Sequence, residues 1–133
     1  MKHTPEQIET LHYGEIFVFG SNESGYHGAG AAKLAVDRFG AKMGQGFGMA
    51  GSTFAIPTKD WDIQTLPVNV IAHYVARFMY LASLYKKKTF LVTKLGCGLA
   101  GLTVEEIAPL FAGADRIKNI ILPKEFSDHL KTL

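Results

Sequence analysis

The chain has 133 residues, 47% hydrophobic and 20% charged, the size and balance of one globular domain with one core. Fourteen basic against twelve acidic residues leave a formal charge of +2, too little to argue for a nucleic-acid surface, and Lys86-Lys87-Lys88 reads as the solvated end of a helix. The single cysteine, Cys97, excludes an internal disulfide framework and a multi-cysteine metal site. Met1 to Gly14 lacks an apolar signal core and no run of about 18 apolar residues occurs, so the expectation is a reducing cytoplasm and no membrane partner.

Along the chain, Thr4-Pro5-Glu6-Gln7 has the residues of a helix start, and the segment to His12 is predicted to be a short helix or a frayed end within a single 1–133 domain. Glu15 to Phe19 is continuously apolar after its first residue and predicts a buried strand. Next comes Gly20 to Ala32, a glycine-rich turn leading into a helix over Gly30 to Phe39 that Gly40 ends. Such a turn bares backbone N–H groups and aims a helix N-terminus at whatever lies above it, an arrangement suited to phosphate. Ala41 to Ser52 carries Gly44, Gly46, Gly48 and Gly51, a density read as a mobile flap over a ligand or as a plain flexible connection.

Thr53 to Ile56 predicts a short strand stopped by Pro57, followed by a polar loop, Thr58 to Asp62. Pro67 opens a long helix to Lys86 with Ile71, Val75, Phe78, Met79 and Ala82 on one face. Thr89 to Thr93 is a buried strand, and Leu95 to Gly101 repeats the glycine-loop design after it. Thr103-Val104-Glu105-Glu106 is a capping box opening a helix to about Phe111 that Pro109 bends or shortens. Ile117 to Leu122 predicts the last strand. Strands and helices alternate, which predicts an α/β/α sandwich of three layers with a mostly parallel or mixed sheet, its ligand lying beyond the strands' carboxyl ends. Two glycine loops there suit a ligand with two phosphates.

Three ordered segments, His27 to Ala32 running on to Arg38-Phe39-Gly40, Ile56 to Lys59, and Gly96 to Leu99, resemble the macrodomain, the ADP-ribose-binding fold. Within it they are most similar to the branch of the terminal ADP-ribose protein glycohydrolase and the antitoxins that remove ADP-ribose from DNA. The resemblance implies a macrodomain-like fold that binds ADP-ribose or another NAD-derived nucleotide, with ADP-ribosylated protein or DNA as further partners and no cofactor. It implies that Gly28, Ala29 and Gly30, with Gly96, Cys97, Gly98, Leu99, Ala100 and Gly101, cradle the diphosphate. It also implies that Lys59, after Thr58, attacks the ribose C1″ and forms a covalent sugar adduct. The chain departs from the pattern at Ala100, where the branch carries aspartate, and at Gly14-Glu15-Ile16, which enters the first loop without the family's earlier strand.

The residues keep alternatives open. Asn22 fixes a ribose hydroxyl or holds its own loop. Lys59 is a nucleophile, which requires loss of its proton, or a loop lysine that contacts phosphate. His27 is a proton-transfer group or a loop histidine donating to phosphate. Tyr26, Phe47 and Trp61 stack on a base or serve core and rim, and Cys97 is a packed residue or a thiolate favoured by a helix N-terminus. No paired metal-ligand spacing occurs. The leading expectation is therefore a nucleotide-diphosphate site, with hydrolysis of an ADP-ribosyl bond through Lys59 as its enzymatic form. The alternative is a non-catalytic nucleotide-binding or protein-interaction module on the same fold.

Overall fold

A computed structural model describes residues 1–133. The apolar runs form a five-stranded mixed sheet: β1 (Glu15–Asn22), β2 (Gly48–Ala50), β3 (Thr53–Lys59), β4 (Thr89–Val92) and β5 (Ile120–Ile121), in the order β2-β3-β1-β4-β5. β1 runs parallel to β3 and β4, β4 parallel to β5, and only β2 is antiparallel. The helices are α1 (Gly30–Leu34), which continues as a π-helical turn over Ala35–Phe39, α2 (Val68–Leu84), α3 (Val104–Ile107) and α4 (Lys124–Leu130).

β1 is apolar without alternation because both faces of the sheet are covered. Ile16 and Val18 enter a core with Ile71, Val75 and Phe78 of α2, with Ile107 of α3 and with Phe126 of α4. Phe17 and Phe19 point to the opposite face and pack with Ile8 and Ala35. The sheet thus lies between α2, α3 and α4 on one side and α1 with the N-terminal segment on the other. No helix is long and apolar enough to cross a membrane.

Several boundaries match the sequence. The helical run from Gly30 ends at Gly40, which takes φ 90°. Thr103 and Glu106 form the reciprocal capping box, and the helix tightens at Ala108–Phe111 around Pro109.

Others differ, each for a local reason. The segment after Thr4 is not a helix. The Thr4 N–H donates to Leu122 O at 2.9 Å and its hydroxyl to Ile121 O at 3.0 Å, so the open edge of β5 captures the would-be cap. β3 runs through Pro57 to Lys59, because β2 pairs with it only as far as Ala55 and proline's missing N–H costs no ladder bond beyond that point. β5 keeps only two of the six apolar-rich residues expected, since the Ile120 N–H turns back to Ile117 O at 3.1 Å. Asn119 instead caps α2, donating to Ala82 O at 2.8 Å and Tyr85 O at 3.0 Å.

Residues 41–52 are neither flap nor loose connection: they form β2 and a strap across the first loop. Gly44 N–H donates to Gly25 O at 2.9 Å, and Ser21 Oγ donates to Gly46 O.

Candidate functional site

The chain leaves β1 for α1 on one face of the sheet and leaves the adjacent β4 for α3 on the other. Where neighbouring connections diverge in this way a crevice opens beyond the carboxyl ends of the strands. It is present here as a cleft of about 460 Å³, and residues 28–32 and 96–100 line it together, with Cys97 the one exception.

Each wall is held by its own bonds. Asn22 is buried, and its Nδ2 donates to Tyr26 O at 2.7 Å, while its Oδ1 accepts from Tyr26 N–H at 2.9 Å and Ser24 Oγ at 2.8 Å. These bonds close the turn that aims the first loop, so the loop-holding role of Asn22 is the one the structure displays. A Cβ on Gly28 would meet Tyr26 Cε2 at 2.5 Å; the tyrosine ring therefore lies against the loop backbone and forms part of the cleft wall.

On the opposite wall Gly96 takes φ 81°, which lets the chain turn sharply off β4 above Ile107. Thr65 Oγ1 donates to Ala100 O at 2.8 Å and pins the far end of that loop. The floor is Gly20, where a Cβ would approach Leu95 Cβ at 3.3 Å and Thr58 Oγ1 at 3.4 Å. Thr58 is buried and donates to Ser21 O at 3.3 Å beside a slip in the β1–β3 register.

The N–H groups of Gly28, Ala29, Gly30, Ala31 and Ala32 make no hydrogen bond within the protein, nor do those of Gly96, Gly98, Leu99 and Ala100. All belong to residues that line the cleft. The charged residues in the lining are Lys59 and Lys94, with no carboxylate among them, and the Lys94 ammonium is turned away from the cleft to Glu125 Oε2 at 3.0 Å. No carboxylate oxygen lies within 4.0 Å of the Lys59 ammonium. The neighbouring Asp60 turns its Oδ1 to its own loop, accepting from the N–H groups of Asp62 at 2.9 Å and Gln64 at 3.0 Å. The cleft is thus rich in backbone donors, and Lys59 is its one cation without a carboxylate partner.

Of the residues singled out in the sequence, Asn22, Gly28, Ala29, Gly30, Thr58, Lys59, Gly96, Gly98, Leu99 and Ala100 line this cleft. His27, Cys97 and Gly101 do not. His27 is buried on the far side of its loop, where Nε2 donates to Gln45 O at 3.0 Å and the ring meets Phe19 edge-on at 5.2 Å. It is a core residue under the strap and reaches no ligand in the cleft. Cys97 is half-buried, and burial pushes its thiol up rather than favouring a thiolate. Phe47 packs against Phe54 and Tyr74, and Trp61 stands exposed outside the cleft.

Sequence reasoning passes over Lys94 and Ile63, which also line the cleft. Lys94 had a signal, its place two residues before Gly96. Ile63 had none. It adopts φ 62°, a left-handed conformation that a β-branched residue takes only under constraint, in the tight turn closed by Asp60 N–H donating to Gln64 O at 2.8 Å. Ile63→Asn is expected to stabilise the protein by about 1 kcal/mol, because asparagine tolerates this conformation. Thermal denaturation checks it, and an unchanged or lower midpoint would show that the isoleucine's contacts outweigh its backbone strain.

No family model matches this sequence, and comparison with curated proteins and with solved structures likewise finds no match.

Proposed function

We propose that the protein binds ADP-ribose or a related NAD-derived nucleotide diphosphate, on a macrodomain-like α/β fold, with the diphosphate between the two glycine loops. The observation that carries this reading is their meeting in one cleft, with unpaired N–H donors on both walls and only lysines among the charged lining residues. Backbone N–H groups at glycine turns approach anion oxygens closely, and lysine adds charge-assisted bonds. A ligand poor in acceptor oxygens would leave those donors unsatisfied, and that is costly once water is displaced.

Binding without turnover is the form the geometry supports best. Cleavage of an ADP-ribosyl bond needs a group to move protons at the departing oxygen. His27 is buried elsewhere, Ala100 supplies no carboxyl group, and no Asp, Glu or His lines the cleft. A second reading, hydrolysis through Lys59, is favoured by one fact: this lysine lines the cleft with no carboxylate beside it. Its amine would attack the ribose C1″, the acceptor oxygen would leave with the bonding electrons and take up a proton, and water would later release the sugar from nitrogen.

Calorimetry and thermal denaturation with ADP-ribose test the site: saturable heat and a rising midpoint are expected, and neither up to millimolar ligand would overturn it. Incubation with glutamate-ADP-ribosylated protein separates the two forms. The binding form predicts no release. Release that falls by about 100-fold or more in Lys59→Ala would establish the hydrolase instead, and release that survives the substitution would remove the lysine mechanism.

A further inference from the structure

Lys94 borders two cavities. One is the cleft, and the other, of about 540 Å³, lies between the N-terminal segment, α1 and the start of α4; the two share Ala31, Thr93 and Lys94. The lysine backbone is fixed at the root of the second glycine loop, where its carbonyl accepts from Cys97 N–H at 3.1 Å. Its ammonium is turned toward the second cavity, 3.0 Å from Glu125 Oε2, and the side chains of this pair are 44% and 41% exposed. The other two ion pairs, Lys33–Asp37 and Lys124–Asp128, are neighbours on single helices. This one joins a cleft loop to a separate element.

We propose that Lys94 is the cation that takes a phosphate of the bound nucleotide diphosphate, and that Glu125 is its resting counter-ion, exchanged for the incoming anion. The inference rests on the diphosphate reading above. An exposed lysine–carboxylate pair is weak and screened by salt. A phosphate seated on backbone N–H donors offers the same ammonium a higher charge and a better-defined geometry. The exchange leaves neither partner stranded. The Glu125 side chain is exposed to water, which hydrates the carboxylate when the lysine leaves. Lys94 needs only to swing between two cavities it already borders.

Calorimetry with ADP-ribose and with inorganic pyrophosphate tests the exchange in Lys94→Gln, Glu125→Gln and the double variant. Lys94→Gln is expected to weaken both probes about tenfold, and Glu125→Gln to tighten both about threefold. The double variant should bind like Lys94→Gln alone, because without the lysine there is no pair to release. Wild-type affinity in Lys94→Gln, or tightening by Glu125→Gln that persists in the double variant, would overturn the assignment while leaving the diphosphate site standing. Failure of the wild-type protein to bind either probe would bring down both. Both side chains are at the surface, so near-wild-type melting midpoints will verify that each variant is folded.

Discussion

Gly46→Ala should destabilise the protein by about 3 kcal/mol or more and lower its melting midpoint by about 10 °C. Residue 46 lies where the strap crosses the first loop backbone to backbone. A Cβ there would overlap Asn22 O and meet Glu23 O at 3.0 Å and Glu23 C at 3.1 Å. These atoms are not free to move. Glu23 N–H donates to Lys59 O at 2.9 Å, Gly25 N–H donates to Asn22 O at 3.0 Å, and the Asn22 side chain closes the same turn. One of those bonds must break or the strap must lift off, uncovering His27 and the Ser21–Gly46 bond. Gly44→Ala is the control. Its φ of 90° strains any side chain, but a Cβ there meets nothing within 4 Å, so it should cost only about 1 kcal/mol. Equal midpoints for the two variants would show that the crossing at residue 46 relaxes to make room for a methyl group and costs no more than the backbone strain at residue 44.

The same crossing shows why residues 41–52 are not legible in the sequence while other parts of the fold are. Where a signal has one physical meaning, the sequence was enough. The apolar run after Glu15 reads as a strand covered on both faces, and Thr103 with Glu106 as a cap before a helix, and both form as read. Glycine density has two meanings. In residues 41–52 it suggested mobility, yet Gly46 is there because two backbones touch, and sequence alone does not distinguish entropy from proximity. Proline likewise stops a strand only if its N–H would face a neighbour, which depends on where β2 ends. Thr4 reads as a helix cap until the edge of β5 offers it better acceptors 117 residues away.

The candidate site divides along the same line. The glycine loops were visible because their chemistry is local, and their convergence followed from parallel strands. The direction of His27 was not visible. It depends on Gln45 O arriving from the strap and on the Phe19 ring beneath, neither of which its neighbours in sequence reveal. The Lys94 side chain was equally out of reach, since its partner Glu125 lies on α4. The positions of the glycine turns could be read from the chain, while the directions of side chains that depend on distant partners could not.

With the diphosphate between the two loops as proposed, binding of ADP-ribose should fall about 100-fold in Gly98→Val, with the melting midpoint unchanged within about 2 °C. Gly98 is the position at which fold and ligand separate. It has no positive φ, and a Cβ there meets no atom within 4 Å, so the first side-chain carbon fits the folded loop without overlap. Yet the residue lines the cleft, and its own N–H and those of Leu99 and Ala100 are three of the four unpaired donors of the second loop. A valine side chain standing on that loop would hold a phosphate away from them. Loss of two bonds to a charged group, each worth about 1.5 kcal/mol or more, gives the 100-fold figure. Calorimetry on the variant reads the affinity, and denaturation without ligand reads the fold. If Gly98→Val binds as tightly as wild type, residues 96–100 do not touch the ligand and the cradle between the two loops is wrong. If it binds weakly because it melts early, Gly98→Ala, with a single methyl group, should regain the fold and still bind measurably less well than glycine.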